Sequence, residues 1–212
     1  MKVSESGEQP IVFVIDDDEA LRDTLKRLFA TVGLRAETFA STADFLKRKL
    51  PAVPTCLVLD IRLPGISGLD FQAELARTGI AIPIVFMTGY GDIPMTVKAM
   101  KAGALEFLPK PFRDQDMLDA VQLALERDRT RRQAERADAQ LRTNFESLSA
   151  REREVMAFVT AGLMNKQIAA QLGLAEVTVK VHRGSLMRKM NARSVAELAR
   201  MAEILGIERP KS

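Results

Sequence analysis

Five short apolar runs, each followed by a stretch with apolar residues at spacings of 3 and 4, fill the first 120 residues. IVFVI (11–15), RAETF (35–39), CLVLD (56–60), PIVFMT (83–88) and ALEFL (104–108) are predicted strands. ALRDTLKRLFATVG, TADFLKRKL, GLDFQAELARTG and PMTVKAMKAG are the helices predicted between them, and Gly33, Gly79 and Gly103 fall where helix C-caps belong. Strands separated by helices cannot pair as hairpins, so this alternation predicts an α/β domain with a doubly wound parallel sheet. A helix starting near Asp114 completes it.

Charge divides the chain. Residues 1–120 carry 14 Lys and Arg against 17 Asp and Glu, net −3, whereas residues 148–212 carry 11 against 6, net +5. A basic C-terminal part predicts contact with a polyanion, and nucleic acid is the usual one. After Ser149, a predicted N-cap with Glu152 three residues on, every segment reads as a short helix, and AAQLGLAEVTV places Gly173 in a tight turn between two of them. The expected domains are 1–125, a helical linker at 126–147, and an all-α helix-turn-helix domain at 148–212.

The linker core, ERDRTRRQAER, is almost devoid of large apolar side chains and reads as a solvated helix with Asp128–Arg132 as an i,i+4 pair. Ala134, Ala137, Leu141, Phe145 and Leu148 nevertheless recur at helical spacing. Two readings stay open: a passive tether, or a helix whose stripe pairs with its mate or packs on the effector domain.

The ends of the predicted strands carry polar chemistry. Asp16, Asp17 and Asp18 close the first strand and Asp60 the third; Pro64, Gly65 and Gly68 then stop the chain. Taken alone, Asp60 is either a turn or cap residue or a carboxylate facing a ligand. With strand order 2-1-3-4-5 the first and third strands are neighbours, and their carboxylates converge. Such a group binds protons or holds a hard cation, and oxygen-only ligands with open positions suit Mg²⁺. The fourth strand ends in Thr88, a hydroxyl donor, and the fifth leads to Lys110, a point charge able to meet a phosphoryl oxygen.

VIDDD, LDIRLPGISG, MTGYGD and FLPKPF occur in an order that resembles the receiver domain of two-component response regulators, with its five-stranded flavodoxin-like fold. The resemblance implies that Asp60 accepts a phosphoryl group from a sensor histidine kinase. It implies that Asp17, Asp60 and the backbone carbonyl of Arg62 bind Mg²⁺, with Asp16 supporting through water. Thr88 and Lys110 would receive phosphoryl oxygens, and Phe107 holds the aromatic switch position; Tyr90 reads as a loop residue. Residues 148–207 resemble the LuxR/FixJ type of helix-turn-helix effector, whose second helix, from about Ala175 to Met190 here, enters the major groove.

Lys180, Val181, Gly184 and Ser185 fall on one face of that helix. Lys180 and Val181 are the expected base contacts, while Lys166, Thr178, Arg183 and Arg188 are expected at phosphates. Gly184 departs from the larger residue common in relatives, and no base contact is assigned to it or to Ser185. His182, the one histidine, has no metal-ligating company and reads as a packing or phosphate-facing residue.

The implied protein is a transcriptional response regulator, not an enzyme, that dimerises on phosphorylation. The fourth helix (residues 94–103) and fifth strand form its expected dimer surface. Expected partners are double-stranded DNA, a sensor histidine kinase, a second copy of the chain and RNA polymerase, with no membrane. The polar N-terminus lacks a signal peptide's apolar core, and lone Cys56 in an apolar strand reads as a buried reduced thiol, so a cytoplasmic location is expected. A Mg²⁺-dependent phosphohydrolase with Asp60 as nucleophile is the rival reading. Arg62 stands where such enzymes carry their general acid.

Overall fold

Parallel hydrogen bonding joins the apolar runs into one sheet. In the computed structural model, which describes residues 9–89, 97 and 99–207, the strands are β1 (Ile11–Ile15), β2 (Arg35–Phe39), β3 (Thr55–Asp60), β4 (Ile84–Thr88) and β5 (Glu106–Pro109). Their order is β2-β1-β3-β4-β5, as expected. β1, β3 and β4 are buried along their whole length because helices cover both faces. These helices are α1 (Glu19–Thr31), α2 (Thr42–Leu46), α3 (Gly68–Arg77) and the first part of α4 (Asp114–Glu146).

Strand alternation sorts the core into two layers. Phe13, Leu57 and Phe86 point to the side where Phe45 and Phe71 meet edge to face, ring centroids 6.0 Å apart. Val14, Val58 and Val85 point to the other, against Phe29, Met117 and Val121. Each fully buried aromatic or branched side chain contributes about 1.5–3 kcal/mol. Cys56 is buried in the second layer, and burial, with the Asp128 charge adding to it, pushes its thiol pKa up, as befits an inert thiol.

Several local expectations shift. α2 stops at Leu46, four residues before the predicted end, because Leu50 precedes Pro51 and is turned away from helical backbone, while Arg48 reaches back to Glu37 at 2.8 Å. Asp18, expected with the acidic cluster, caps α1 by accepting from the Ala20 and Leu21 amides. Residues 97 and 99–101 of the expected fourth helix are helical, with Ala99 buried; residues 94–96 and 98, together with Tyr90, lie outside the described residues.

The chain divides into two compact units between Gln133 and Ala134, inside α4. In the second unit, α5 (Ala150–Thr160), α6 (Asn165–Leu172), α7 (Glu176–Lys189) and α8 (Val195–Ile204) surround Val155, Val159, Ile168, Val179, Leu186 and Leu198. Gly173, at φ 64°, makes the left-handed turn between α6 and α7. Leu141, Phe145 and Leu148 of the predicted stripe join this core, so the end of α4 packs on the effector domain. Among the described residues no helix is long and apolar enough to cross a membrane.

Ser149 caps α5, and the Ser149 amide in turn donates to the Glu152 carboxylate at 2.7 Å. Glu152 is buried, and Lys189 of α7 reaches its carboxylate at 2.7 Å. Burial alone would raise its pKa, but hydrogen bonds from Lys189, Ser185 and Ser149 together lower it to about 2. A carboxyl group whose folded pKa is depressed adds stability above its unfolded value, and that stability is lost as pH falls through the folded value. Hydrogen-exchange protection factors of the C-terminal helices, with the intrinsic pH dependence of exchange divided out, should therefore fall between pH 4.5 and about 2. Glu152→Gln should show a flatter dependence; an unchanged one contradicts the assignment.

Candidate functional site

The register that aligns Ile15 with Leu59 brings the next residues, Asp16 and Asp60, side by side at the carboxyl ends of β1 and β3. β3 pairs Asp60 with Met87, so Thr88 lies one residue beyond it on β4, and β4 pairs Thr88 with Pro109, next to Lys110. The sheet thus gathers Asp16, Asp60, Thr88 and Lys110 at one end, where open α/β sheets carry their ligands. The Lys110 amide donates to the Thr88 carbonyl at 2.6 Å, which ties the two strand ends together.

Lys110 Nζ bridges two buried carboxylates, at 2.7 Å from Asp16 Oδ2 and 3.2 Å from Asp60 Oδ2. Asp17 is exposed beside them, and one carboxylate oxygen from each of Asp16, Asp17 and Asp60 lies within 4.8 Å of the others. Three carboxylates facing one ammonium leave a deficit of two positive charges. Burial, reinforced by the Asp16 charge, raises the Asp60 pKa although Lys110 works the other way. For Lys110 burial acts downward, but the bonds and charges of Asp16 and Asp60 outweigh it and raise its pKa.

This donor set fits a hard divalent cation, which needs oxygen ligands and an incomplete protein shell. Asp16 is the least available of the three, since Oδ2 takes Lys110 and Oδ1 takes the Asp18 amide at 2.9 Å. Asp60 Oδ1 receives a long bond, 3.4 Å, from the Arg62 amide. An open depression of about 420 Å³ lies beside the cluster, lined by Asp17, Arg62 and the turn from Leu63 to Ser67. Arg22 holds the acidic turn by donating to the Asp16 and Asp17 carbonyls at 2.8 and 3.0 Å. Sequence reasoning did not single it out, because its partners are backbone atoms.

Thr88 is fully buried at the end of β4. Phe107, opposite Phe86 in the sheet, is half-buried against the aromatic layer. Gly68, read from sequence as a turn residue, has a more specific role. A Cβ there would stand 2.6 Å from the Asp60 carbonyl oxygen and 3.0 Å from Ile61 Cα.

In the effector domain α7 buries Val179 and Leu186 and turns Val177, Lys180, Val181, Gly184 and Arg188 outward. Lys180, Val181 and Arg188 therefore share an exposed face, with Lys166 exposed at the start of α6. Val177, 67% exposed and one turn before Val181, belongs to that face too; its i−4 spacing was the overlooked signal. Thr178, His182 and Arg183 are half-buried, and Arg183 donates to Asn165 Oδ1 at 3.0 Å. Ser185, at i+4 from Val181, is half-buried, and its hydroxyl is among the groups that lower the pKa of buried Glu152.

Comparison with known proteins follows the same division. The family model described as "Response regulator receiver domain" matches residues 12–122, and that described as "Bacterial regulatory proteins, luxR family" matches residues 146–202. Nodulation protein W of Bradyrhizobium diazoefficiens is 59% identical over 204 residues, covering 96% of this chain and 90% of its own. Transcriptional regulatory protein FixJ of Azorhizobium caulinodans is 42% identical, covering 92% of this chain and 93% of its own. Among solved structures, response regulator StyR superposes with a TM-score of 0.85 at 51% identity, covering 92% of this chain and 98% of its own.

The Gly68 contact gives a direct test of the site's framework. Gly68→Ala must displace either the start of α3 or the Asp60 backbone, and overpacking of this kind costs about 1–3 kcal/mol. The urea midpoint of the N-terminal domain should fall accordingly. An unchanged midpoint would mean that the close approach at Asp60 is not constraining.

Proposed function

This chain belongs to the response regulators that join a receiver domain to a LuxR-type DNA-binding domain and regulate transcription, and on that premise we propose how its residues carry the signal. Asp60 is the phosphoacceptor. A carboxylate oxygen of Asp60 attacks the phosphorus of a kinase phosphohistidine; the P–O bond forms as the P–N bond breaks, and the imidazole leaves. The reading rests above all on Lys110, whose ammonium already lies 3.2 Å from Asp60 and can meet an oxygen of the incoming group.

Asp17, Asp60 and the Arg62 carbonyl are the proposed Mg²⁺ ligands, with Asp16, already committed to Lys110 and the Asp18 amide, acting through water. Mg²⁺ supplies the charge that lets a phosphoryl dianion approach three carboxylates. Thr88 offers its hydroxyl to a second phosphoryl oxygen, and Phe107 turns inward into the space that this movement leaves. The change reshapes the expected dimer surface, the fourth predicted helix (94–103) with β5, where the homodimer forms. Taking such an equilibrium from 1:99 to 99:1 needs about 5.5 kcal/mol of differential stabilisation, within reach of several charge-assisted hydrogen bonds plus dimer contacts.

The dimer presents two copies of α7 to DNA. Lys180 and Val181 read base edges, while Lys166, Thr178, Arg183 and Arg188 position the domain on phosphates, Arg183 from its bond to Asn165. The proposed domains are a receiver at 1–125, a helical linker at 126–147 and a DNA-binding domain at 148–212. The kinase and RNA polymerase are the protein partners, and the cytoplasm is the compartment where both are met.

Treating the unmodified chain and Asp60→Asn with Mg²⁺ and a small acyl-phosphate donor, then weighing each intact, tests the acceptor. Only the unmodified chain should gain a phosphoryl mass; a phosphorylated Asp60→Asn product rejects the assignment. Lys110→Ala should still be phosphorylated but should no longer dimerise in response.

A second test concerns DNA. Lys166→Ala should weaken binding to all sequences and flatten the log–log salt dependence by about one unit, whereas Lys180→Ala should relax sequence preference. Unchanged preference in Lys180→Ala would remove α7 from the role of reading helix.

A further inference from the structure

Asp128, midway along α4, is completely buried. Its carboxylate accepts the Thr55 amide at 2.8 Å across 73 residues of sequence. Arg131 and Arg132 reach the same carboxylate at 2.6 and 2.5 Å, and Arg132 Nη2 donates to Thr55 Oγ1 at 3.4 Å. Thr55 opens β3, the strand that ends in Asp60, and is itself buried. The pair expected from sequence to be a solvated i,i+4 contact is thus a four-residue cluster joining α4 to the sheet. Buried charge of this kind persists only where it is fully paired, and removing one partner is strongly destabilising.

The cluster changes where the linker begins. The last apolar residue of α4 in the N-terminal core is Leu125, and the first in the effector core is Leu141. The Asp128 cluster extends the docked part of α4 by seven residues, about two turns, to Arg132. Only residues 133–140 remain, and all eight are exposed. A helix that short does not hold its shape alone, since isolated helices below about 12–15 residues are marginal in water. It is helical here as a continuation of two docked ends.

We propose that Asp128 is the positioning residue that clamps α4 to the start of β3, and that residues 133–140 are the hinge of the linker. The phase of the helix is set by the receiver domain as far as Arg132 and by the effector core from Leu141. Bending and unwinding between the domains fall on two turns of QAERADAQ. The chain is then neither a free tether from residue 126 nor a rigid rod.

Hydrogen exchange on the full chain, read segment by segment, tests this without any phosphorylation step. Amides 126–132 should exchange within about tenfold of those at 117–125, and amides 134–141 at least about tenfold faster than either. Asp128→Ala should bring 126–132 and Thr55 up by about tenfold or more while β1 and β4 keep their protection. A merely structural role would lower the whole domain together. Asp128→Asn, which keeps the shape and an acceptor for Thr55, should move 129–132 in the same direction if the alanine variant does not fold. Uniform protection from 117 to 146 in the unmodified chain, exchange at 126–132 as fast as at 134–141, unchanged protection in both variants, or a loss spread evenly over the domain each overturns the proposal.

Discussion

One ammonium group between two buried carboxylates sets the terms for this molecule. Lys110 meets Asp16 at 2.7 Å and Asp60 at 3.2 Å, and it can do so only because three parallel strands end at the same level. The site remains two charges short of neutrality once Asp17 is included. A fold stabilised mainly by apolar layers on both faces of its sheet can carry such an imbalance at its edge. The same imbalance gives the site an affinity for cations and a sensitivity to any group that adds negative charge. The architecture around it works to hold positions: Arg22 pins the acidic turn, the Lys110 amide is tied to Thr88, and Gly68 lets α3 start against the Asp60 backbone.

Much of this was legible in the chain because it is written in local patterns. β1 and β2 span the predicted residues, since turn and cap signals bound these short runs on both sides. The four strand ends were identifiable because a polar residue following an apolar run has no place in the core. What escaped was non-local. Nothing near Asp128 in sequence announces Thr55, and i,i+4 spacing to Arg132 looks the same on a solvated helix as on a docked one. The half-buried setting of Ser185, whose hydroxyl helps lower the pKa of Glu152, escaped for a similar reason. Helical spacing gives a face but not the depth of the neighbouring carboxylate, Glu152, that claims the hydroxyl.

The linker shows how the two halves divide the work. The predicted stripe of Ala134, Ala137, Leu141, Phe145 and Leu148 splits in the structure: the alanines are exposed, and the three larger residues enter the effector core. Alanines bury too little area to dock a helix, which is why the docked ends stop where they do. Length changes meant to probe phase therefore belong between Gln133 and Gln140; an insertion near Arg131 would break the Asp128 cluster and confound phase with docking.

The account stands on the claim that loading the Asp60 site controls the DNA-binding domain. The most direct measurement is the affinity of the full chain for a fragment selected from genomic DNA, with and without an acyl-phosphate donor and Mg²⁺, for the unmodified chain and for Asp60→Asn. The account predicts a gain in affinity only for the unmodified chain with donor and Mg²⁺ together. An equal gain in Asp60→Asn, or no gain in a chain shown to carry the phosphoryl group, would contradict it.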